Sequence, residues 1–177
     1  FGIDAALGGL SIDDSLQGLN VNSTWELDGS NRYIDDLGRV LQFSSFEDLQ
    51  GGSANDVFQI TGTRSNDLLG GAGNDTFVYQ AAFSQLVGRI DGQAGSDTLN
   101  LAAFTTKRAV TLTSSTTTGF TGTEASVTAD FSGIDVIVGG FATTDVINGL
   151  PVDSRWNITG KDQGTYTESS TARILSF

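Results

Sequence analysis

The feature that most constrains this chain is a long internal similarity. "GIDAALGGLSIDDSLQGLNVNSTW" (Gly2 to Trp25) aligns without a gap on "GIDVIVGGFATTDVINGLPVDSRW" (Gly133 to Trp156), at an offset of 131. Eleven of the 24 aligned positions are identical, among them Gly8, Gly9, Asp14, Gly18, Leu19, Ser23 and Trp25. The only two tryptophans are therefore one position met twice. The likeness continues through "WELDG" over "WNITG" and ends at "VLQF" over "ILSF", where the offset has grown to 134. A shorter echo lies inside: "FSSFEDLQGG" (Phe43 to Gly52) matches "FSGIDVIVGG" (Phe131 to Gly140). The expected organisation is one continuous segment over 1–177, with one repeat unit spanning about 1–131 and the start of the next over 132–177. A start at Phe1 predicts a fragment or a processed product.

Self-similarity of this kind belongs to stacked architectures, in which each unit buries its apolar face against its neighbour. The local pattern agrees. "DVFQIT", "DTFVYQ", "DTLNL", "AVTLT" and "DVIVGG" place apolar residues at alternate positions and are rich in Val, Ile, Thr and Phe. That period belongs to half-buried strands. Gly-Gly and Asn-Asp dipeptides punctuate them, as turns require. The acids point the same way: 17 of the 21 are Asp, the turn former, and four are Glu, the helix former. One weak helical candidate is Ala81 to Val87, read as a short excursion. The expected fold is all-β, a parallel β-solenoid (β-helix or β-roll) of short stacked coils. The threonine-rich stretch near 105–128 has no Gly-Gly-Asp punctuation and is expected to protrude as a hairpin.

Composition removes several function classes. Nine basic against 21 acidic residues give a net charge of −12, which opposes nucleic acid, since phosphate binding rests on Lys and Arg. The chain contains no His, Cys or Met, so zinc sites of His or thiolate, Ser-His and Cys-His catalysis and thiol redox chemistry are excluded. No apolar run is long enough to insert into a membrane. Absence of Cys fits a large protein exported to an oxidising space. A glycosidase needs two carboxylates across a cleft. The paired acids Asp13/Asp14, Asp35/Asp36 and Glu47/Asp48 instead read as solvated or turn-capping, because neighbours in a strand face opposite ways. The two tryptophans read as corner-packing aromatics, with sugar stacking as the alternative.

Two resemblances follow from these motifs. "TWELDG", "RWNITG", "FSSFEDLQGGSANDVFQITG", "IDGQAGSDTLNLAAF" and "FSGIDVIVGG" together resemble the tandem repeats of giant bacterial filamentous-haemagglutinin-like and beta strand repeat exoproteins. That resemblance implies an extracellular, elongated solenoid at the bacterial cell surface, serving as fibre, sheath, surface layer or adhesin stalk. Its partners would be neighbouring copies of itself and cell-surface polysaccharide. Locally, "GGAGNDTFV" (Gly70 to Val78) is similar to the calcium-binding nonapeptide of RTX proteins at every defined position. "GGSANDVFQ" from Gly51 and "GQAGSDTLN" from Gly92 each depart from it by one glycine, at Ala54 and Gln93.

Calcium takes six to eight oxygens, and one Asp with a few backbone carbonyls per corner could supply them. The resemblance therefore implies calcium held by Asp56, Asp75 and Asp97 with the corner glycines Gly51, Gly70 and Gly73. Asp56 and Asp75 stand at a spacing of 19, close to the family's two-nonapeptide coil, whereas Asp75 and Asp97 stand at 22. The competing reading is a metal-free turn in which each Asp caps backbone N–H groups. Asp67 is expected to face the other way, with no good partner. Function thus divides into a structural repeat, a calcium-dependent RTX-like binding module, and a polysaccharide-acting β-helix enzyme. The last is disfavoured because only Lys107, Lys161 and seven scattered arginines are available.

Overall fold

The computed structural model describes residues 5–10 and 13–177, and among them the chain is all-β, with no helix. The first third holds β1 (Ala5–Leu7), β2 (Ser15–Gln17), β3 (Ser23–Leu27), β4 (Arg32–Ile34), β5 (Val40–Ser44), β6 (Asp48–Gln50) and β7 (Asp56–Ile60). The middle holds β8 (Thr63–Arg64), β9 (Asp67–Leu69), β10 (Thr76–Tyr79), β11 (Gln85–Leu86), β12 (Ile90–Asp91) and β13 (Thr98–Asn100). Then come β14 (Ala109–Thr116), β15 (Gly119–Glu124), β16 (Val127–Ile134) and β17 (Val136–Val138). The last four are β18 (Val146–Asn148), β19 (Ser154–Gly160), β20 (Gln163–Glu168) and β21 (Ile174–Ser176).

These strands form two mixed sheets, and the chain passes repeatedly from one to the other. The first sheet runs β1-β5-β4-β3-β7-β10-β13-β17-β21-β20-β19, and the second runs β18-β14-β15-β16-β12-β9-β6-β2. In the first, β3, β7, β10, β13 and β17 pair in parallel. In the second, β2, β6, β9, β12 and β16 do the same. Each pass from β6 to β7, β9 to β10 and β12 to β13 turns one of the Gly/Asp corners.

Register aligns like with like. Trp25 lies beside Phe58, Phe58 beside Phe77, Phe77 beside Leu99 and Leu99 beside Ile137. On the facing sheet the row is Leu16, Leu49, Leu68, Ile90 and Phe131. All but Leu16 are buried. The alternation in sequence is what sends these residues inward: along β7, Asp56, Phe58 and Ile60 are buried while Val57 and Gln59 are half-buried. Trp25 and Phe58 stack at 5.6 Å between centroids, and Phe58 and Phe77 at 5.1 Å. Such ring contacts add about 0.5–1.5 kcal/mol each beyond area burial.

Ala81–Val87, read as a short excursion, is a turn closed by Ser84 N–H to Ala81 O at 3.0 Å that leads into β11. One expectation is corrected. The 105–128 stretch does form a hairpin, β14 with β15, and a second turn returns the chain along β16, also antiparallel. It is built into the second sheet rather than protruding, because Val110, Leu112 and Phe120 alternate inward and are buried in the core.

Candidate functional site

Three corners carry the motif residues, and one arrangement repeats through them. Successive backbone N–H groups cross from corner to corner: Gly18 to Gln50 O (2.8 Å), Gly51 to Leu69 O (2.8 Å), Gly70 to Asp91 O (2.8 Å) and Gly92 to Ser132 O (2.9 Å). The corners therefore stack directly, including the Asp75 and Asp97 corners with their wider spacing in sequence. The extra length of that pass lies on the far side, around β11, and leaves the corner undisturbed. The expected distinction between the shorter and the longer spacing does not hold for the corner geometry.

The aspartates form a one-way ladder. Asp56 N–H donates to Asp75 Oδ1 at 2.8 Å, Asp75 N–H to Asp97 Oδ1 at 2.8 Å, and Asp97 N–H to Asp135 Oδ2 at 3.2 Å. Ser23 Oγ donates to Asp56 Oδ1 at one end, and Arg173 Nη2 binds Asp135 Oδ1 at the other. All four carboxylates are buried. Beside this ladder runs a second one in the opposite sense. Asn55 N–H donates to Asn22 Oδ1 (3.1 Å), Asn74 N–H to Asn55 Oδ1 (2.8 Å) and Ser96 N–H to Asn74 Oδ1 (2.9 Å). Sequence reasoning missed the Asn ladder, Ser23, Asp135 and Arg173. The repeated Asn-Asp dipeptide was the signal for the first, and the "GID" shared by both repeat starts was a signal for Asp135.

Two kinds of glycine serve these corners. A Cβ on Gly51, Gly70 or Gly92 would collide with the Oδ2 of Asp56, Asp75 or Asp97 and with the carbonyl of Gly70, Gly92 or Gly133 respectively. Those glycines are required by close approach. Gly71 and Gly73 are required by conformation, at φ 104° and 112°. In the next corner Gln93 holds the place of Gly71 at φ 67°.

Burial dominates the electrostatics. Desolvation pushes both Asp75 and Asp97 up to about 7, reinforced by neighbouring carboxylates and opposed by the N–H groups they accept. Burial also raises Asp56 against the Ser23 and Gly52 hydrogen bonds, and Asp135 against the Asp97 N–H and Arg173. Oδ2 of Asp75 and Oδ2 of Asp97 are buried with no hydrogen-bond partner among the described residues. Asp56 Oδ2, by contrast, accepts Gly52 N–H at 2.8 Å.

At the Asp75 and Asp97 corners Oδ1 accepts an N–H group and Oδ2 has no hydrogen-bond partner among the described residues, whereas at the Asp56 corner both oxygens are taken, Oδ1 by Ser23 Oγ and Oδ2 by Gly52 N–H. Among the described residues no three acidic side chains gather around one point. Asp67 lies in β9, apart from these corners, and accepts Arg89 N–H at 3.0 Å and Arg89 Nε at 2.9 Å.

Elsewhere the acids are held by local partners. Glu124 binds Arg108 and accepts Ser126 N–H at 2.8 Å, while Arg108 lies 4.1 Å over the Phe104 ring. Glu168 accepts the N–H groups of Ser170 and Thr171, both at 2.8 Å. Hydrogen bonds from Thr171 and Ser170 hold its carboxyl down to about 2. A groove of about 800 Å³ beside Thr116, Thr117 and Thr171 contains Asp135 and Arg173, but these are bonded to each other.

The two tryptophan segments have matching surroundings. Leu19 N–H donates to Tyr33 OH at 2.9 Å, and Leu150 N–H to Tyr166 OH at 3.0 Å. Trp25 meets Tyr33 edge-on at 4.8 Å and Phe43 at 5.7 Å. Trp156 meets Tyr166 at 4.7 Å and Phe177 at 5.8 Å. β1 pairs with β5 through Ala5 and Gln42, and β17 with β21 through Val136 and Ser176, which are the corresponding positions. One difference separates the clusters: Trp25 is 0% exposed and Trp156 42%.

No protein-family model matches the chain, and no curated protein and no solved structure matches it.

Proposed function

We propose that this chain is a structural repeat of a bacterial extracellular fibre, sheath, surface layer or adhesin stalk, folded as a parallel β-solenoid that assembles end to end. The observation that carries the reading is the matched pair of tryptophan clusters, offset by one repeat length and lying toward opposite ends of the first sheet. A unit that reproduces its own packing at a fixed offset has a surface on which the next unit can continue the same sheet. In-register rows of apolar residues and two side-chain ladders support the same reading, since they extend with every added coil. Neighbouring copies are the principal partners, and cell-surface polysaccharide is a second class of contact. Electron microscopy of several tandem units should show rods that lengthen with the number of units. Compact particles of constant length would overturn the proposal.

One observation favours a second reading, a calcium-dependent module: the buried Oδ2 atoms of Asp75 and Asp97, which have no hydrogen-bond partner among the described residues. A cation there would replace the proton that burial favours. Calorimetric titration with calcium, beside melting with and without chelator, decides it. No heat and no change in melting removes calcium from the account.

A further inference from the structure

Among the described residues no strand lies along the outer edge of β19, and the first tryptophan cluster shows what kind of segment covers the matching edge. The inference drawn from this rests on the repeat reading above and adds which segment makes the contact. In the first cluster, β3 is covered by β7: Ser23 pairs with Asp56, Trp25 with Phe58 and Leu27 with Ile60. Ser154, Trp156 and Ile158 hold the corresponding places in β19, whose only strand partner among the described residues is β20. With β7 in place, Leu27 is 0% exposed; without an equivalent, Ile158 is 65% exposed. A cleft of about 780 Å³, lined in part by Val138, Ile147, Trp156, Ile158 and Phe177, opens at this end. The second sheet stops at the same level. β2 is paired with β6, whereas its counterpart β18 is paired, among the described residues, only with β14.

We propose that the β19 edge and its cleft receive the β6–β7 segment (Asp48 to Ile60) of a further copy of the unit, joined in tandem. The seat is parallel, with that copy's Asp56 beside Ser154, its Phe58 stacked on Trp156 and its Ile60 beside Ile158. Its Leu49 would lie beside Ile147, as Leu49 lies beside Leu16 here. An unpaired strand edge with apolar residues is a template for another strand. One feature favours a tandem copy over a separate chain. In a complete separate chain β7 already has β3 on one edge and β10 on the other. A separate chain would have to release β3, exposing Trp25 and Leu27, before it could dock.

The test extends the intact chain. Residues 44–134 are appended after Phe177 in a Trp25→Phe background, leaving Trp156 as the sole tryptophan. The matched control carries Phe58→Asp and Ile60→Asp in the appended segment alone. The expected result is blue-shifted Trp156 emission and at least several-fold slower acrylamide quenching in the extended chain than in the control. Equal quenching in the two would overturn the proposal. So would concentration-dependent protection of Trp156 in the unextended chain accompanied by dimers, which would assign the edge to a separate copy. Failure to form rods with Trp156 protected would remove the fibre function and leave the docking contact standing.

Discussion

Asp56 donates its backbone N–H to Oδ1 of Asp75 at 2.8 Å, although both side chains are buried acids. The contact ties one corner to the next through a carboxyl group that needs only its acceptor oxygen. Asp75→Asn keeps that oxygen and removes the buried acid. Asp75→Ala leaves the Asp56 N–H unpaired, a loss of about 1–3 kcal/mol. Urea unfolding at pH 7 should find the Asn variant within about 1 kcal/mol of the parent and the Ala variant clearly below it. Equal losses would mean that the hydrogen bond is not what the Asp contributes.

The same burial makes stability depend on pH in a defined direction. Asp75 and Asp97 sit at about 7 in the folded chain, above the roughly 3.9 of an unfolded Asp. Between those values the folded state holds more protons than the unfolded state, so stability falls as pH rises. The contribution is complete below the unfolded value and is lost as pH rises through about 7. Melting temperature should therefore decline from pH 5 to pH 8. The Asp75→Asn/Asp97→Asn double variant should flatten that slope, and an unchanged slope would assign it to the general acidic charge instead.

The tryptophan pair separates packing from residue type. Trp25→Ala should cost about 3–5 kcal/mol, as for a large aromatic removed from a closed core. Trp156→Ala should cost no more than about half of that, because much of the ring is already in water. Chemical denaturation of the two variants measures the difference. Equal costs would show that Trp156 is covered in solution.

Gln93 takes a positive φ, 67°, at the place where Gly71 in the preceding corner takes 104°. A residue with a Cβ is disfavoured there by about 1–2 kcal/mol, and glycine returns part of that through its freedom in the unfolded chain. Gln93→Gly should raise stability by about 0.5–1 kcal/mol, read as an upward shift in the denaturation midpoint. A decrease would show that the Gln93 side chain contributes more than its backbone costs.

Much of the strand content was legible because alternation is a local property. "DVFQI" declares its inward residues without reference to any other segment, and Phe58 and Ile60 are buried as that pattern requires. The corner motif was legible too, since Gly51, Gly70 and Gly92 precede their aspartates at one fixed spacing. Local pattern misled where the partner was distant. Thr105 to Thr128 was read as a protruding hairpin although "AVTLT" already alternates, and the burial of Val110, Leu112 and Phe120 depends on other strands. The Asp67–Arg89 contact was equally out of reach of local pattern, because it joins residues 22 apart in sequence.

By itself, then, the sequence determined the strand period, the turn chemistry and the offset at which the tryptophan cluster returns, all of which depend on residue type and spacing along one chain. Only the tertiary structure decided which oxygen meets which N–H group. Asp135 joins the ladder across 38 residues, and Arg173 closes it across another 38. It also decided that two copies of one tryptophan position have different fates. Trp25 and Trp156 hold one position of the internal similarity and each meets a Tyr and a Phe edge-on, but burial belongs to the whole assembly of strands, and only Trp25 has β7 laid across it.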